Sequence, residues 1–327
     1  MPPSNLDEQL TKYLTDAHSI EQQALAQMRL APRIAGDRQL SALFSDHLTE
    51  TQDHERLVAE RLQARNAKPS KVKDAAGTLT GLGFAAFAVA QPDTPGKLVV
   101  HAFSYEHMEE AAYDLLAKVA ARAGDGATVE IARRIGDQER AMGDRLSGCF
   151  DRAAQAALDQ QSPADLGRQL DKYLADAHAI EAQALQLLGR APALAGAREL
   201  AAAYESHRVE TEQHQRLVAT RLDERGAKPS VLKDAALRIG ALNWGAFFAA
   251  QPDTSAKLAA FAYAFEHLEI GAYEMLMRVA VRAADEQTVG IAEQILTEEN
   301  AAAETLRALF DKALDATLQG VPVAAAS

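Results

Sequence analysis

The chain is one sequence written twice. Displaced by 160 residues it matches itself without a gap, so that Lys12-Tyr13-Leu14 returns as Lys172-Tyr173-Leu174 and Gln91-Pro92-Asp93-Thr94 as Gln251-Pro252-Asp253-Thr254. Roughly half of the positions are identical, far beyond what chance gives at so long a period. The repeat divides the 327 residues into two expected domains, 1–160 and 161–327. It also lets the chain comment on itself, because positions that drifted apart were free to change. Eight of the nine histidines kept their place, as did a set of glutamates on otherwise apolar helix faces.

Each half reads as helical. Ala and Leu dominate, and no run of β-branched residues suggests a strand. In the first half the pattern predicts helix A from about Leu6 to Leu30, helix B from Asp37 to Asn66, helix C from Thr94-Pro95 to Gly124 and helix D from Ala127 to Leu158. A shorter apolar helix from Lys73 to Ala90 is expected in the B-to-C crossover. Thr before Pro at 94–95 reads as a helix cap followed by a first-turn proline. Four long helices with one long crossover give an all-α four-helix bundle, repeated at +160.

A net charge of −12 argues against nucleic acid or an anionic membrane as partner. Cys149 stands alone and its counterpart is Leu309, which fits a reducing compartment. The first residues carry no signal-peptide pattern, and the longest apolar run, around Phe84 to Ala90, is too short to span a bilayer. A cytoplasmic location is the expectation.

The helix stripes hold the informative departure. Helix A runs Leu10, Leu14, Ala17, Glu21, Leu25, Met28; helix B runs Leu40, Leu43, His47, Glu50, His54, Leu57. Helix C gives Leu98, Ala102, Tyr105 or Glu106, Glu109, Tyr113, and helix D gives Ile135, Glu139, Met142, Leu146. The second half repeats the interruptions as Glu181, His207, Glu210, His214, Glu266, Glu269 and Glu299. Steps of three and four place each set on one face. One buried, uncompensated carboxylate costs several kcal/mol, against a domain stability of roughly 5–15 kcal/mol. Lys and Arg are absent from Tyr173 to Gly189, Leu258 to Leu276 and Thr288 to Thr305. Divalent metal explains the cluster best, and oxygen ligands with one or two imidazoles suit iron or manganese. A proton-sharing polar network is the alternative.

On these residues the chain resembles a ferritin-like protein, and each half resembles the YciF-like family of ferritin-like domains. His47-x-x-Glu50-Thr51-x-x-His54-x-x-Leu57, Glu106-His107-x-Glu109-x-x-x-Tyr113 and Glu139 carry the likeness, and the second half supplies Glu266-His267-x-Glu269 and Glu298-Glu299. The resemblance implies Glu21, Glu50, His54, Glu106 or Glu109, and Glu139 as ligands of up to two ions in each half. Glu181, Glu210, His214, Glu266, Glu269 and Glu299 are their counterparts. It implies that Glu50 and Glu109 bridge while Glu21, Glu139 and His54 are terminal. The chain departs from the usual pattern twice. Its helix-B pair is spaced i, i+4, and helix D carries Met142 or Ala302 where a histidine is usual. His47, or a second helix-C glutamate, is the available substitute.

The remaining features have plainer readings. His18, His178, His107 and His267 are expected to be hydrogen-bonded outside the ligand set. Tyr113 and Tyr273 are expected to touch the site through their hydroxyls, and Thr51 and Thr211 to bond back to the helix. The function that follows is a di-metal carboxylate protein reacting with O₂ or peroxide in stress-related detoxification. The rival is a non-catalytic stress or scaffold protein with a vestigial or single-metal site. The two halves are expected to pack as a pseudo-dimer, with further homo-oligomerisation open.

Overall fold

A computed structural model describes residues 5–75, 78, 93–159, 162, 165–228 and 253–319. Their contacts divide the chain into two compact units, with the changeover between Ala157 and Leu158. In the first, α1 spans Leu6–Met28, α2 Ala31–Ile34, α3 Arg38–Ala64, α4 Thr94–Arg122, α5 Gly126–Ser147 and α6 Phe150–Leu158. In the second, α7 spans Leu166–Leu188, α8 Ala191–Leu194, α9 Arg198–Glu224, α10 Thr254–Arg282, α11 Glu286–Ala308 and α12 Phe310–Leu318. The described residues are helical with no strand, so the chain folds as two all-α bundles. Most of the expected crossover helix lies outside the described residues, although 71–75 is helical.

In each unit short connections make hairpins of the helix pairs α1/α3 and α4/α5, and α1 packs on α4. Leucine and isoleucine layers close the bundle on both sides of its middle. Leu10, Leu14, Leu40, Leu62, Leu98, Leu116, Ile135 and Leu146 are all nearly inaccessible in the first unit.

Three local expectations need correction. Helix D does not run on to Leu158; it stops at Ser147, and Phe150 starts a separate helix. Phe150 sits edge-on to Phe103, with ring centroids 5.3 Å apart, so α6 turns to pack over α4. The cap of α4 is Asp93 and not Thr94, which is already helical, and Pro95 occupies the first turn. The third concerns α3. Its buried face is Leu40, Phe44, His47, Thr51, His54, Val58 and Leu62. The expected stripe shared only Leu40, His47 and His54 with that face, and Glu50 belongs to the neighbouring one.

Asp125 ties the end of α3 to the start of α5. Its carboxylate accepts from the Thr128 backbone N–H at 3.0 Å, capping α5, and from Arg61 Nη2 at 2.9 Å and Arg65 Nη1 at 2.8 Å on α3. Asp285, Arg221 and Arg225 repeat the tie in the second unit. Asp125→Ala removes a cap worth about 1–2 kcal/mol and leaves two part-buried guanidinium groups short of a partner. Denaturant unfolding is expected to show at least that loss, whereas a change within about 0.5 kcal/mol, the usual range for surface substitutions, would refute the role.

Candidate metal centre

Helical geometry brings six side chains from four helices into one layer of the first bundle. Glu21 comes from α1, His47 and His54 from α3, Glu106 and Glu109 from α4, and Glu139 from α5. Every one of them is at most 1% exposed. The histidines are seven residues apart, two helical turns, and therefore point the same way.

Glu139 lies at the centre. Its Oε1 is 2.7 Å from His54 Nδ1, and its Oε2 is 3.7 Å from His47 Nε2. Glu21 Oε1 approaches His54 Nδ1 at 4.0 Å, and Glu106 Oε2 approaches His47 Nε2 at 3.1 Å. Two ligand groups result, Glu21–His54–Glu139 and His47–Glu106–Glu139, each with its atoms within 4.8 Å of one another. They share Glu139, one oxygen to each. The second bundle repeats both: Glu181–His214–Glu299, and His207–Glu266–Glu299 joined by Glu269. There His214 Nδ1 is 2.9 Å from Glu299 Oε1, and His207 Nε2 is 2.8 Å from Glu266 Oε2.

None of these approaches is a hydrogen bond. Among the described residues the inward nitrogens of His47 and His54, both oxygens of Glu106, Glu109 and Glu139, and Glu21 Oε2 have no hydrogen-bond partner. The second centre has the same orphans except Glu266 Oε1. Buried polar atoms are almost always satisfied. So many unpaired donors and acceptors facing a common point fit a cation, and the oxygen-rich set with imidazole suits a divalent transition ion.

The outward nitrogens are held. His47 Nδ1 meets Glu50 Oε2 at 3.0 Å, and His54 Nε2 meets Gln138 Oε1 at 3.2 Å. Donation outward turns the lone pair of the other nitrogen inward, the usual arrangement behind a metal-bound imidazole. Tyr113 donates to Glu21, and Tyr273 to Glu181. Thr51 and Thr211 donate to the carbonyls of His47 and His207, both at 2.9 Å.

Glu50 and Glu210 do not take the inward position expected of them. Their side chains are 31% and 45% exposed and sit behind His47 and His207. Arg145 Nη2 donates to Glu50 at 2.7 Å, holding it at the rim. The central place between the two ligand groups belongs to Glu139 and Glu299. His47 and His207 bring a second imidazole into each layer from α3 and α9. His18 lies outside the centre, 2.9 Å from Glu55 and 3.1 Å from Asp74. His107 and His267 each donate to a carbonyl of their own helix, at 2.7 and 2.8 Å. Sequence reading gave no role to Glu298, which it named only within a motif, and it missed Gln138 and Tyr204. Gln138 and Glu298 directly precede the central glutamates, and adjacency was the available signal.

The outer ring differs between the halves. Gln138 is replaced by Glu298, whose Oε2 lies 2.6 Å from His214 Nε2, and Arg145 by Thr305. At these two positions the second centre is two charge units more negative.

Burial raises the Glu21 carboxyl to about 8, with repulsion from Glu139 adding to it. Burial likewise lifts Glu106 to about 7 and Glu109 well above the ordinary range. Burial also opposes ionisation of Glu139, but contacts with His54 and His47 outweigh it and keep that carboxyl low. Glu181, Glu266 and Glu299 behave alike, at about 8, about 7 and about 2. Burial disfavours charge on the histidines too, yet the facing carboxylates win: His47 and His54 rise, and His214 reaches about 9. Without metal the layer is thus held together by protons.

Protons retained by the fold and released by the unfolded chain make stability fall as pH rises. The raised carboxyls act between the ordinary 4.5 and about 8, and the histidines between 6.5 and about 9. Glu139 and Glu299 act in the opposite sense, only below 4.5. The Tm of EDTA-stripped protein is therefore expected to decline from about pH 5 to about pH 9. A flat or rising profile by calorimetry would contradict this charge assignment.

No solved structure matches the chain. The family described as a domain of unknown function, DUF892, matches residues 5–159 and again residues 166–319. The two matches take in nearly the whole sequence and both centres, and the chain belongs to that family as a tandem of two copies.

Proposed function

We propose that each half is a ferritin-like bundle holding two divalent cations, iron or manganese, and that the loaded protein reacts with O₂ or peroxide to detoxify metal and oxidant. The observation that supports this reading is the charge balance of the layer. Glu21, Glu106, Glu109 and Glu139 are buried with no Lys or Arg paired to them among the described residues. Four carboxylates with two neutral imidazoles are balanced by two divalent ions.

In this reading Glu21, His54 and Glu139 would hold one ion, and His47, Glu106 and Glu139 the other. Glu109, whose oxygens are both unpartnered, completes the set. Bound as a pair, such ions supply a two-electron couple to an oxidant. The chain's own residues do the rest. Glu50 and Gln138 fix the tautomers of His47 and His54, and Tyr113 fixes the Glu21 carboxylate. The leucine layers keep bulk water from the charges, and that strengthens each electrostatic contact.

The test is the metal content of protein purified without chelator, paired with peroxide consumption. About two ions per half are expected, with protons released on loading at neutral pH, because metal replaces the protons the site otherwise holds. Glu139→Gln together with Glu299→Gln is expected to lower metal affinity by at least about tenfold, the range seen when a metal site loses a supporting group. A protein that binds no metal, and whose Tm is unmoved by Fe(II) or Mn(II), would sink the proposal. Full metal without peroxide or O₂ turnover would leave a storage or structural site in its place.

A further inference from the structure

The second bundle contains a cavity of about 120 Å³ at its centre's edge. Exposed Ser206 and Thr305 stand at its mouth, and buried Tyr204, His207 and Glu266 form its floor. Ala302 lines one wall. The cavity thus reaches the His207–Glu266 ligand group from outside. Tyr204 is 1% exposed, and its hydroxyl has no hydrogen-bond partner among the described residues.

At the same register the first bundle carries larger or less polar groups. Ala302 corresponds to Met142, which is wholly buried, and Tyr204 to Phe44. Thr305 corresponds to Arg145, whose guanidinium crosses to Glu50. A buried thioether and an ion pair therefore stand where the second half has its opening. His207 remains 5% exposed against 1% for His47.

We infer that the two centres have divided their roles: the second is the one a small oxygen-rich ligand enters, with the Tyr204 hydroxyl donating to it, and the first is sealed by Met142 and the Arg145–Glu50 pair. The inference rests on the metal reading above. Size sets the ligand class. A water molecule occupies about 30 Å³ of liquid, so the cavity has room for about four waters, and a ligand the size of hydrogen peroxide fits within it. Typical organic-substrate pockets are about 300–1,000 Å³. Tyr204 supplies the one neutral donor on a floor that otherwise offers a carboxylate and an imidazole.

Azide, a three-atom anion that fills open metal positions, is the probe. Iron-loaded, air-oxidised full-length chain is titrated with azide by absorption, with iron measured on the same samples. Azide is expected at one half only. Ala302→Met with Thr305→Arg should weaken it at least about tenfold, a difference of about 1.4 kcal/mol, with iron content unchanged. Tyr204→Phe should weaken it with unchanged iron content. The reverse variant, Met142→Ala with Arg145→Thr, should admit a second azide and guards against misfolding of the filled one. Equal azide binding at both halves of the wild type, or no effect of filling the cavity while iron stays bound, overturns this inference alone. A chain that binds no iron overturns the metal reading and this inference together.

Discussion

A carboxylate inside a helical bundle must find a counter-charge, and the architecture of each half follows from that need. Glu139 and Glu299 are buried completely, yet their environment holds them ionised, since each faces two imidazoles. The other glutamates of the layer are pushed toward the protonated form. One ionised centre surrounded by groups that must share protons or take up metal is a poised arrangement. The apolar layers above and below supply the low dielectric that makes it so, and they also supply most of the cohesion.

Much of this was legible from the residues. The repeat, the four long helices, the inward glutamates and the scarcity of Lys and Arg at their level were all on the surface of the sequence. The rotation of α3 was not. Steps of three and four through His47 and His54 are satisfied by way of Glu50 or by way of Thr51. At 100° per residue the two histidines differ by about 20°, while Glu50 stands about 60° to one side of His47. Phe44 and Val58 settle the choice, because burying them carries Thr51 inward and Glu50 out. A reader weighing carboxylates more heavily than packing selects the wrong face.

The break at Gly148 and Cys149 was hidden for a similar reason. The stretch from Ala127 to Leu158 keeps a helical period across Gly136 and Gly143, so Gly148, which caps α5 just before Phe150 meets the ring of Phe103, does not stand out as the stop. The outer partners of the histidines were hidden because each needs two helices to be aligned. Gln138 and Glu298 are ordinary polar residues until His54 and His214 arrive opposite them.

The covalent tandem has its own consequence. When identical chains pair, every substitution appears in both members, so a change that opens one centre opens its twin. A chain that encodes both copies escapes that symmetry. Met142 and Ala302 can coexist in one molecule, and so can Arg145 and Thr305, which makes the duplication a licence for inequality between sites that began alike.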